Sequence, residues 1–139
     1  MKKLIIILSI LSLALSFALA QQPDDIIGEY RLPNQLDVEI YKQNHKYYGK
    51  IIGLGDLDLE HQRDINNPDQ DFQDEPLLSK IIIKDLEYDK SEHQWLDGSM
   101  YGPEKGLIFN LKVTEIRETE IEVVGSKYFF WKTLTWKKI

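Results

Sequence analysis

The chain has 139 residues, of which 23 are acidic and 17 basic, so its formal net charge at neutral pH is −6. An acidic surface repels phosphate, which argues against nucleic-acid binding and predicts no basic patch for anionic lipid. The chain contains no cysteine, which excludes disulfides, thiolate metal sites and cysteine nucleophiles.

The first twenty residues have the three-part pattern of a secretory signal peptide. Lys2 and Lys3 give a positive start, residues 4–17 form an apolar run broken only by serines, and residues 18–20 are Ala-Leu-Ala. Small residues at those positions predict cleavage before Gln21. We therefore expect this segment to be removed and the protein to be exported, to the periplasm or outside the cell.

A stable membrane anchor is not predicted for residues 1–20. The apolar run is shorter than the roughly 20 residues that span a bilayer, and no basic stop-transfer cluster follows it. A lipid anchor would require a cysteine after the cleavage site. The remaining residues 21–139 carry 15 basic and 23 acidic side chains, a net charge of −8, and their length is typical of a single domain.

Alternating apolar and polar residues predict strands along most of residues 21–139. In residues 36–41, Leu36, Val38 and Ile40 share one face, and a short polar connector leads to a second apolar run. The two runs together predict a β-hairpin. The second run is 47–53, and further strands are predicted within residues 76–89 (with a helical turn near 76–80), 93–101, 107–113, 119–125 and 128–136.

No segment shows a convincing helical period. Short strands separated by turns every 8 to 12 residues or so are typical of an all-β meander, a barrel or a sandwich. A closed barrel leaves no exposed sheet edge, which an exported protein has reason to avoid. The sequence therefore predicts an all-β domain, a single antiparallel up-and-down β-barrel of about eight strands, with a long acidic crossover loop.

Several motifs occur in an order that is similar to one bacterial family. They are Ile27-Gly28-Glu29-Tyr30, Tyr47-Tyr48-Gly49-Lys50-Ile51, Asp64-x-x-Asn67-Pro68-Asp69, Pro76-Leu77-Leu78, Trp95-x-x-Gly98-x-Met100-Tyr101-x-Pro103-Glu104 and Thr135-Trp136. In order and spacing the chain resembles the bacterial exported family known as Domain of Unknown Function 2147, over essentially all of residues 21–139. The resemblance implies a lipocalin-like, calycin-type barrel and no particular biochemical activity.

The chain departs from the pattern of that family at three places. Gly102 stands where an aspartate is usual, residues 73–75 (Gln-Asp-Glu) replace basic residues, and Ser79 replaces a glycine. A role that depends on those side chains is therefore not implied for this protein.

The acidic stretch at residues 64–74 supports more than one interpretation. Together with Glu75 it has the length of a helix-loop-helix calcium loop, but Asp69 stands where that loop needs glycine, and no helix flanks it. A looser calcium site of Asp64, Asp69 and Asp71 stays open as an alternative. Asx side chains accept hydrogen bonds from backbone amides in turns, and proline fixes its own φ. We favour a structural loop that ties down the crossover through Asp64, Asn67, Pro68 and Asp69.

No catalytic or metal-binding constellation is predicted. His45, His61 and His93 are scattered in polar turns, whereas a zinc site needs His or Cys at short spacing. Ser99 directly follows Gly98 within a predicted strand and does not form a nucleophile elbow. We therefore predict neither an enzyme nor a bound cofactor.

Five aromatic residues are candidates for the barrel interior: Trp95, Tyr101, Phe109, Phe130 and Trp136. In a ligand-binding barrel they would line a cavity, whereas in a small filled barrel they would form the core. Trp95, Tyr101 and Trp136 carry polar groups that suit a barrel mouth or a hydrogen-bonded core position. Alternation leaves open whether Asn110 and Lys132 face inward. Together with the lipocalin-like barrel that the resemblance implies, these residues favour binding of a small apolar or amphipathic molecule of the cell envelope.

The alternative is a filled barrel that acts through its outer surface on an envelope protein. Tyr41, Tyr48, Phe129 and Trp131 alternate onto the polar faces of their strands, where clustered large aromatic side chains mark contact with a partner. In either case we expect the domain to be monomeric or weakly associated.

Overall fold

The computed structural model describes residues 20–139, so the predicted signal peptide, apart from Ala20, lies outside the described residues. Within that range the chain forms eight β-strands and two short 3₁₀ helices, Pro23–Ile26 and Gln70–Phe72. The strands are β1 (Gly28–Arg31), β2 (Asp37–Gln43), β3 (Lys46–Gly53), β4 (Ile81–Asp89), β5 (Gln94–Gly102), β6 (Leu107–Ile116), β7 (Glu120–Lys127) and β8 (Phe130–Lys138). No helix in residues 20–139 is long and apolar enough to cross a membrane.

The eight strands form a closed antiparallel barrel in which each strand pairs with its neighbour in sequence and β8 returns to β1. This topology confirms the predicted up-and-down barrel. Strands β2 to β8 fall in the segments where the alternation of apolar residues predicted them; in β2, Val38 and Ile40 are buried, while Asp37 and Glu39 are only partly so. Strand β1 was not predicted, because its four residues are too few to show alternation. The predicted helical turn near residues 76–80 is a single hydrogen-bonded turn.

The barrel has a closed end and an open end. The closed end carries the first 3₁₀ helix and the β2–β3, β4–β5 and β6–β7 turns. The open end carries the β1–β2 loop, the crossover (residues 54–80, between β3 and β4), the β5–β6 turn and the β7–β8 turn.

Aromatic side chains hold the first 3₁₀ helix against the closed end. Pro23 begins this helix, where a missing backbone N–H costs no helical hydrogen bond, and Ile26 is fully buried in the core. Each of three buried aromatic residues donates one hydrogen bond to the helix. The bonds run from Trp95 Nε1 to Pro23 O (2.9 Å), from Tyr30 Oη to Ile26 O (2.7 Å) and from Tyr47 Oη to Asp24 Oδ1 (2.6 Å).

Only two pairs of residues join β1 to β8 and close the described barrel. Within residues 20–139, these strands pair only at Tyr30↔Lys138 and Arg31↔Lys137. β7 and β8, in contrast, pair along their whole length as far as Lys127↔Phe130. The β7–β8 hairpin therefore extends past the end of β1, and the barrel wall is incomplete beside it.

Trp95→Phe should lower the free energy of unfolding by about 1 kcal/mol, because it removes one part-buried hydrogen bond and keeps most of the apolar packing. Urea unfolding followed by circular dichroism measures the change. Exposed Trp131→Phe is the matched control, expected to stay within about 0.5 kcal/mol of the original protein. Equal stability of both variants would contradict a structural role for the Trp95 bond.

Candidate functional site

A cavity of about 530 Å³ occupies the half of the barrel nearest the open end. Inward side chains of β4, β5, β6, β7 and β8 and residues of the β1–β2 loop form its wall. Most of these side chains are aliphatic or aromatic. The lining includes Leu32, Leu36, Ile82, Met100, Phe109, Leu111, Val123, Leu134 and Trp136, and the polar residues Asn34, Glu104, Lys105 and Lys132 also border it.

Small residues leave room for this cavity. Gly102 of β5 and Gly125 of β7 both line it, and a Cβ at Gly125 would lie 3.1 Å from the Phe109 ring. The ring therefore packs directly over the Gly125 backbone, and a larger residue there would have to displace it. The buried Trp136 forms part of the inner wall.

Hydrogen bonds hold one side of the cavity rim. Asn34 Nδ2 of the β1–β2 loop donates to Glu104 Oε1 of the β5–β6 turn. From the crossover, Asn66 Nδ2 donates to the carbonyls of Pro103 (3.2 Å) and Glu104 (3.0 Å). A second cavity of about 300 Å³ lies between these rim residues and the crossover. The opposite side of the rim is β8, where Lys132 borders the larger cavity.

The structure brings together two of the five aromatic residues that the sequence placed in the interior. Phe109 and Trp136 line the cavity, whereas Trp95, Tyr101 and Phe130 do not. Trp95 is buried at the closed end, and the Tyr101 hydroxyl is directed at the crossover. Phe130 has the inward position of its strand but is exposed, because β1 has already ended at this height of the barrel.

The structure also decides the two polar positions that strand alternation left open. Lys132 borders the cavity, whereas Asn110 lies on the outer face of β6. The aliphatic part of the lining, such as Met100, Val123 and Leu134, was not among the predicted site residues. The alternation that places Leu134 on the same face as Trp136 is the signal that could have found it.

Asp64 fixes the crossover to the barrel. Among residues 20–139, it is the only fully buried side chain that carries a charge. Its carboxylate accepts hydrogen bonds from Tyr101 Oη (2.6 Å) and Asn67 Nδ2 (2.8 Å), and Lys80 Nζ lies 3.1 Å from Oδ2. Its backbone N donates to Glu75 O (2.9 Å). A buried carboxylate is stable only with such partners, so these contacts join the crossover, β5 and the start of β4.

The other predicted loop residues order the backbone of the crossover. Asn67 Oδ1 accepts a hydrogen bond from Asp69 N (2.9 Å), and Asp69 Oδ1 accepts one from Asp71 N (3.0 Å) at the start of the second 3₁₀ helix. Pro68 lies exposed between them. Within residues 20–139, no group of three or more His, Asp or Glu side chains is arranged to hold a metal ion. These hydrogen bonds order the loop, and the structural role predicted for Asp64, Asn67, Pro68 and Asp69 stays a prediction.

Burial raises the pKa of three tyrosines that hold the two ends of the barrel. It raises the pKa of Tyr30 to about 12, with a smaller contribution from the nearby Asp25 carboxylate. Burial also raises the pKa of Tyr47 and of Tyr101, and in each the hydrogen bond to an aspartate adds to the effect. The neutral phenols are therefore the forms that the folded state favours.

Asp64→Ala should lower the free energy of unfolding by about 3 kcal/mol, because Lys80 and Tyr101 lose their shared acceptor. Thermal and urea unfolding measure the loss. Exposed Asp71→Ala is the matched control and should change stability by less than about 0.5 kcal/mol. Calcium and EDTA should leave the melting temperature unchanged. A clear rise with calcium would contradict the structural interpretation and support a metal site.

Stability should also fall in alkaline solution. A phenol whose pKa is higher in the folded than in the unfolded state contributes stability that is complete below its ordinary pKa of about 10 and is lost as the pH rises through the folded value. Urea unfolding at a series of pH values should show this decline beginning near pH 10. Tyr101→Phe should make it shallower. An identical decline in this variant would contradict the role of the Tyr101 hydroxyl.

Comparison with known proteins identifies the family of the chain. Residues 28–138 match the family described as "Uncharacterized protein conserved in bacteria (DUF2147)". No curated protein sequence matches the chain significantly. Among solved structures, the chain is similar to protein HP1028 from the human pathogen Helicobacter pylori, which is described as belonging to the lipocalin family; the TM-score is 0.73 and the identity 20%, over 82% of each chain. The protein therefore belongs to the bacterial family DUF2147 and has the fold of a lipocalin-like β-barrel.

Proposed function

We propose that the protein binds a small apolar or amphipathic molecule inside the barrel. The observation that carries the proposal is the cavity of about 530 Å³, which falls in the range of roughly 300 to 1,000 Å³ typical of small-molecule sites. A filled barrel would leave only voids of about the size of a water molecule. The lipocalin-like fold supports the proposal, since eight-stranded barrels of this kind can hold one small ligand.

The lining indicates the chemical class of the ligand. Val123, Leu134 and Trp136 offer an apolar surface in the depth of the cavity, and Lys105 and Lys132 are the basic residues at its border. Glu104 also borders the cavity, but its carboxylate accepts a hydrogen bond from Asn34. An acidic head group forms charge-assisted hydrogen bonds with ammonium groups. An amphipathic molecule with an apolar tail inside and an acidic head group at the rim therefore fits this site best.

Export to the cell envelope or beyond is also part of the proposal. The basic, apolar and small-residue regions of residues 1–20 support it. The Gln21 side chain, which would begin the processed chain, donates to Thr114 O (3.2 Å) and accepts from Ile116 N. Removal of the preceding residues therefore leaves these contacts of the barrel intact, and N-terminal sequencing of the exported protein tests the cleavage site.

Val123→Phe should weaken binding of dansyl-labelled undecanoic acid at least about tenfold, equivalent to about 1.4 kcal/mol, because the added ring occupies the cavity. Val124→Phe is the matched control. Val124 lies on the outer face of β7, so this variant should bind the probe like the original protein. Fluorescence titration measures both, and thermal unfolding checks that each variant is folded.

The contribution of Lys132 is measured with the same probe and its uncharged methyl ester. Lys132→Gln should weaken binding of the acid about fivefold, because a partly exposed charged hydrogen bond is lost, and leave binding of the ester unchanged. Failure of the original protein to bind either probe, or equal losses in the Val123 and Val124 variants, would contradict binding in the cavity.

A further inference from the structure

The aromatic hairpin tip, residues 127–132, comprises the end of β7, the turn and the start of β8, and it exposes four consecutive aromatic side chains. Tyr128 is 88% exposed, Phe129 91%, Phe130 80% and Trp131 76%. Single exposed apolar residues are normal on a protein surface, whereas a contiguous apolar patch marks a contact with another surface. Because rings on both faces of the hairpin are exposed, the tip projects into solvent and does not cover the barrel core.

The tip stands beside the mouth of the cavity. β7 and β8 stay paired as far as Lys127↔Phe130, well past the end of β1. β6 flanks the tip on the side away from β1, and its first residues, Leu107 and Ile108, are also exposed. Lys127 Nζ donates to Ile108 O (2.7 Å) and ties the tip to this strand. The exposed apolar surface is therefore continuous from the start of β6 to the start of β8.

This surface is basic although the protein is acidic. Residues 105–114 and 123–136, which include most of β6, β7 and β8, contain no aspartate or glutamate. All other residues of the chain together carry 13 basic and 23 acidic side chains, so the overall charge concealed a local basic patch. Within residues 20–139, no salt bridge joins the four lysines of the patch to a carboxylate. They are Lys105, Lys112, Lys127 and Lys132.

We propose that the aromatic hairpin tip docks the protein onto the surface of an anionic lipid bilayer. Tyr and Trp rings are stable at the head-group level of a membrane, where Tyr128 and Trp131 would lie. Phe129 and Phe130, at the turn, enter the boundary with the acyl chains. The lysines on either side of the rings meet lipid phosphates, which is the charge complementarity that favours a bilayer over an apolar protein groove.

The acidic crossover sets the orientation of the docked protein. It lies at the same end of the barrel, but four strands away from the hairpin on the opposite wall. Residues 54–80 contain eight acidic residues against two lysines or arginines. An anionic surface repels that wall and attracts the wall formed by β6, β7 and β8. The barrel therefore docks tilted, with the aromatic hairpin tip lowest.

In this orientation the mouth of the cavity faces the lipid. Lys132 belongs both to the basic patch and to the cavity border, so a head group bound by this lysine already lies at the entrance. Transfer of an apolar tail between bilayer and cavity then exposes little of it to water. This consequence rests on the proposed function, whereas docking itself does not.

Vesicle binding tests the docking. Protein without residues 1–20, the predicted signal peptide, is mixed with vesicles of phosphatidylcholine alone, or of phosphatidylcholine with phosphatidylglycerol, and sedimented. Trp95 and Trp136 are buried, so a blue shift of the fluorescence and protection from acrylamide report on Trp131. We expect binding, blue shift and protection with the phosphatidylglycerol vesicles, all weakened by added salt.

Two sets of variants separate the apolar and the ionic contributions. The triple variant Phe129→Ser, Phe130→Ser, Trp131→Ser should lose more than about tenfold in vesicle binding. Lys127→Gln with Lys132→Gln should lose about fivefold per lysine and much of the salt dependence. Leu59→Ser is the matched control, since it removes an equally exposed apolar side chain from the crossover; it should bind vesicles like the original protein.

The outcomes are distinguishable from failure of the cavity proposal. Val123→Phe, which fills the cavity, should still bind vesicles normally. Absence of binding to the phosphatidylglycerol vesicles, or equal binding by the triple variant, would overturn the docking proposal. So would a concentration-dependent self-association in sedimentation velocity that the triple variant abolishes without any vesicle binding, because a second copy of the chain would then cover the hairpin tip.

Discussion

The length of β1 is the constraint on which the rest of this barrel depends. With four residues it gives β8 two pairing partners, so the wall is complete only near the closed end. There, the interior is filled by large side chains such as Trp95, Tyr30 and Tyr47, which also hold the first 3₁₀ helix as a plug. Nearer the open end, β8 still pairs with β7 but has no paired strand on its β1 side. The same short strand thus produces the packed half, the cavity and the projecting hairpin.

On the wall opposite the incomplete part of the barrel, the crossover holds the rim in place. Asp64 joins it to Tyr101 and Lys80, and Asn66 holds the β5–β6 turn through two carbonyls. Gly106 allows the close approach, because it has a φ of 63° and a Cβ there would lie 1.9 Å from Asn66 O. A buried ion pair adds little net stability but strongly disfavours arrangements that leave it unpaired. Together with the apolar contacts of Leu54, Leu57 and Leu77, it therefore fixes the position of the crossover at this side of the rim.

Apart from the four-residue β1, the strand positions, the topology and the inward faces of β6 and β8 could be predicted from the sequence, because alternation reports directly which residues share a face. The height of a residue along the barrel axis could not be predicted, because it depends on the register between β8 and β1. For this reason the exposure of Phe130 was not foreseen. The positions of β-bulges could not be predicted from the sequence either. Trp95 and Tyr101 are six residues apart and would share a face in a regular strand, but the register shifts between Trp95 and Gly98, where Asp97 has a φ of 62°. Tyr101 consequently turns to the crossover, and Met100 takes the inward position.

Net charge concealed the basic patch for a related reason: composition sums over the whole surface, whereas a partner responds to the nearest charges within about a Debye length, roughly 8 Å at physiological ionic strength. An acidic protein with a few clustered lysines is repelled by an anionic surface in most orientations and attracted in one. Specificity of this kind requires the repulsive wall as much as the attractive one. The crossover supplies the repulsive wall and the aromatic hairpin tip the attractive one, on opposite sides of the cavity mouth. In the docking proposal, the acidic loop that suggested a metal site therefore determines which way the barrel faces the membrane.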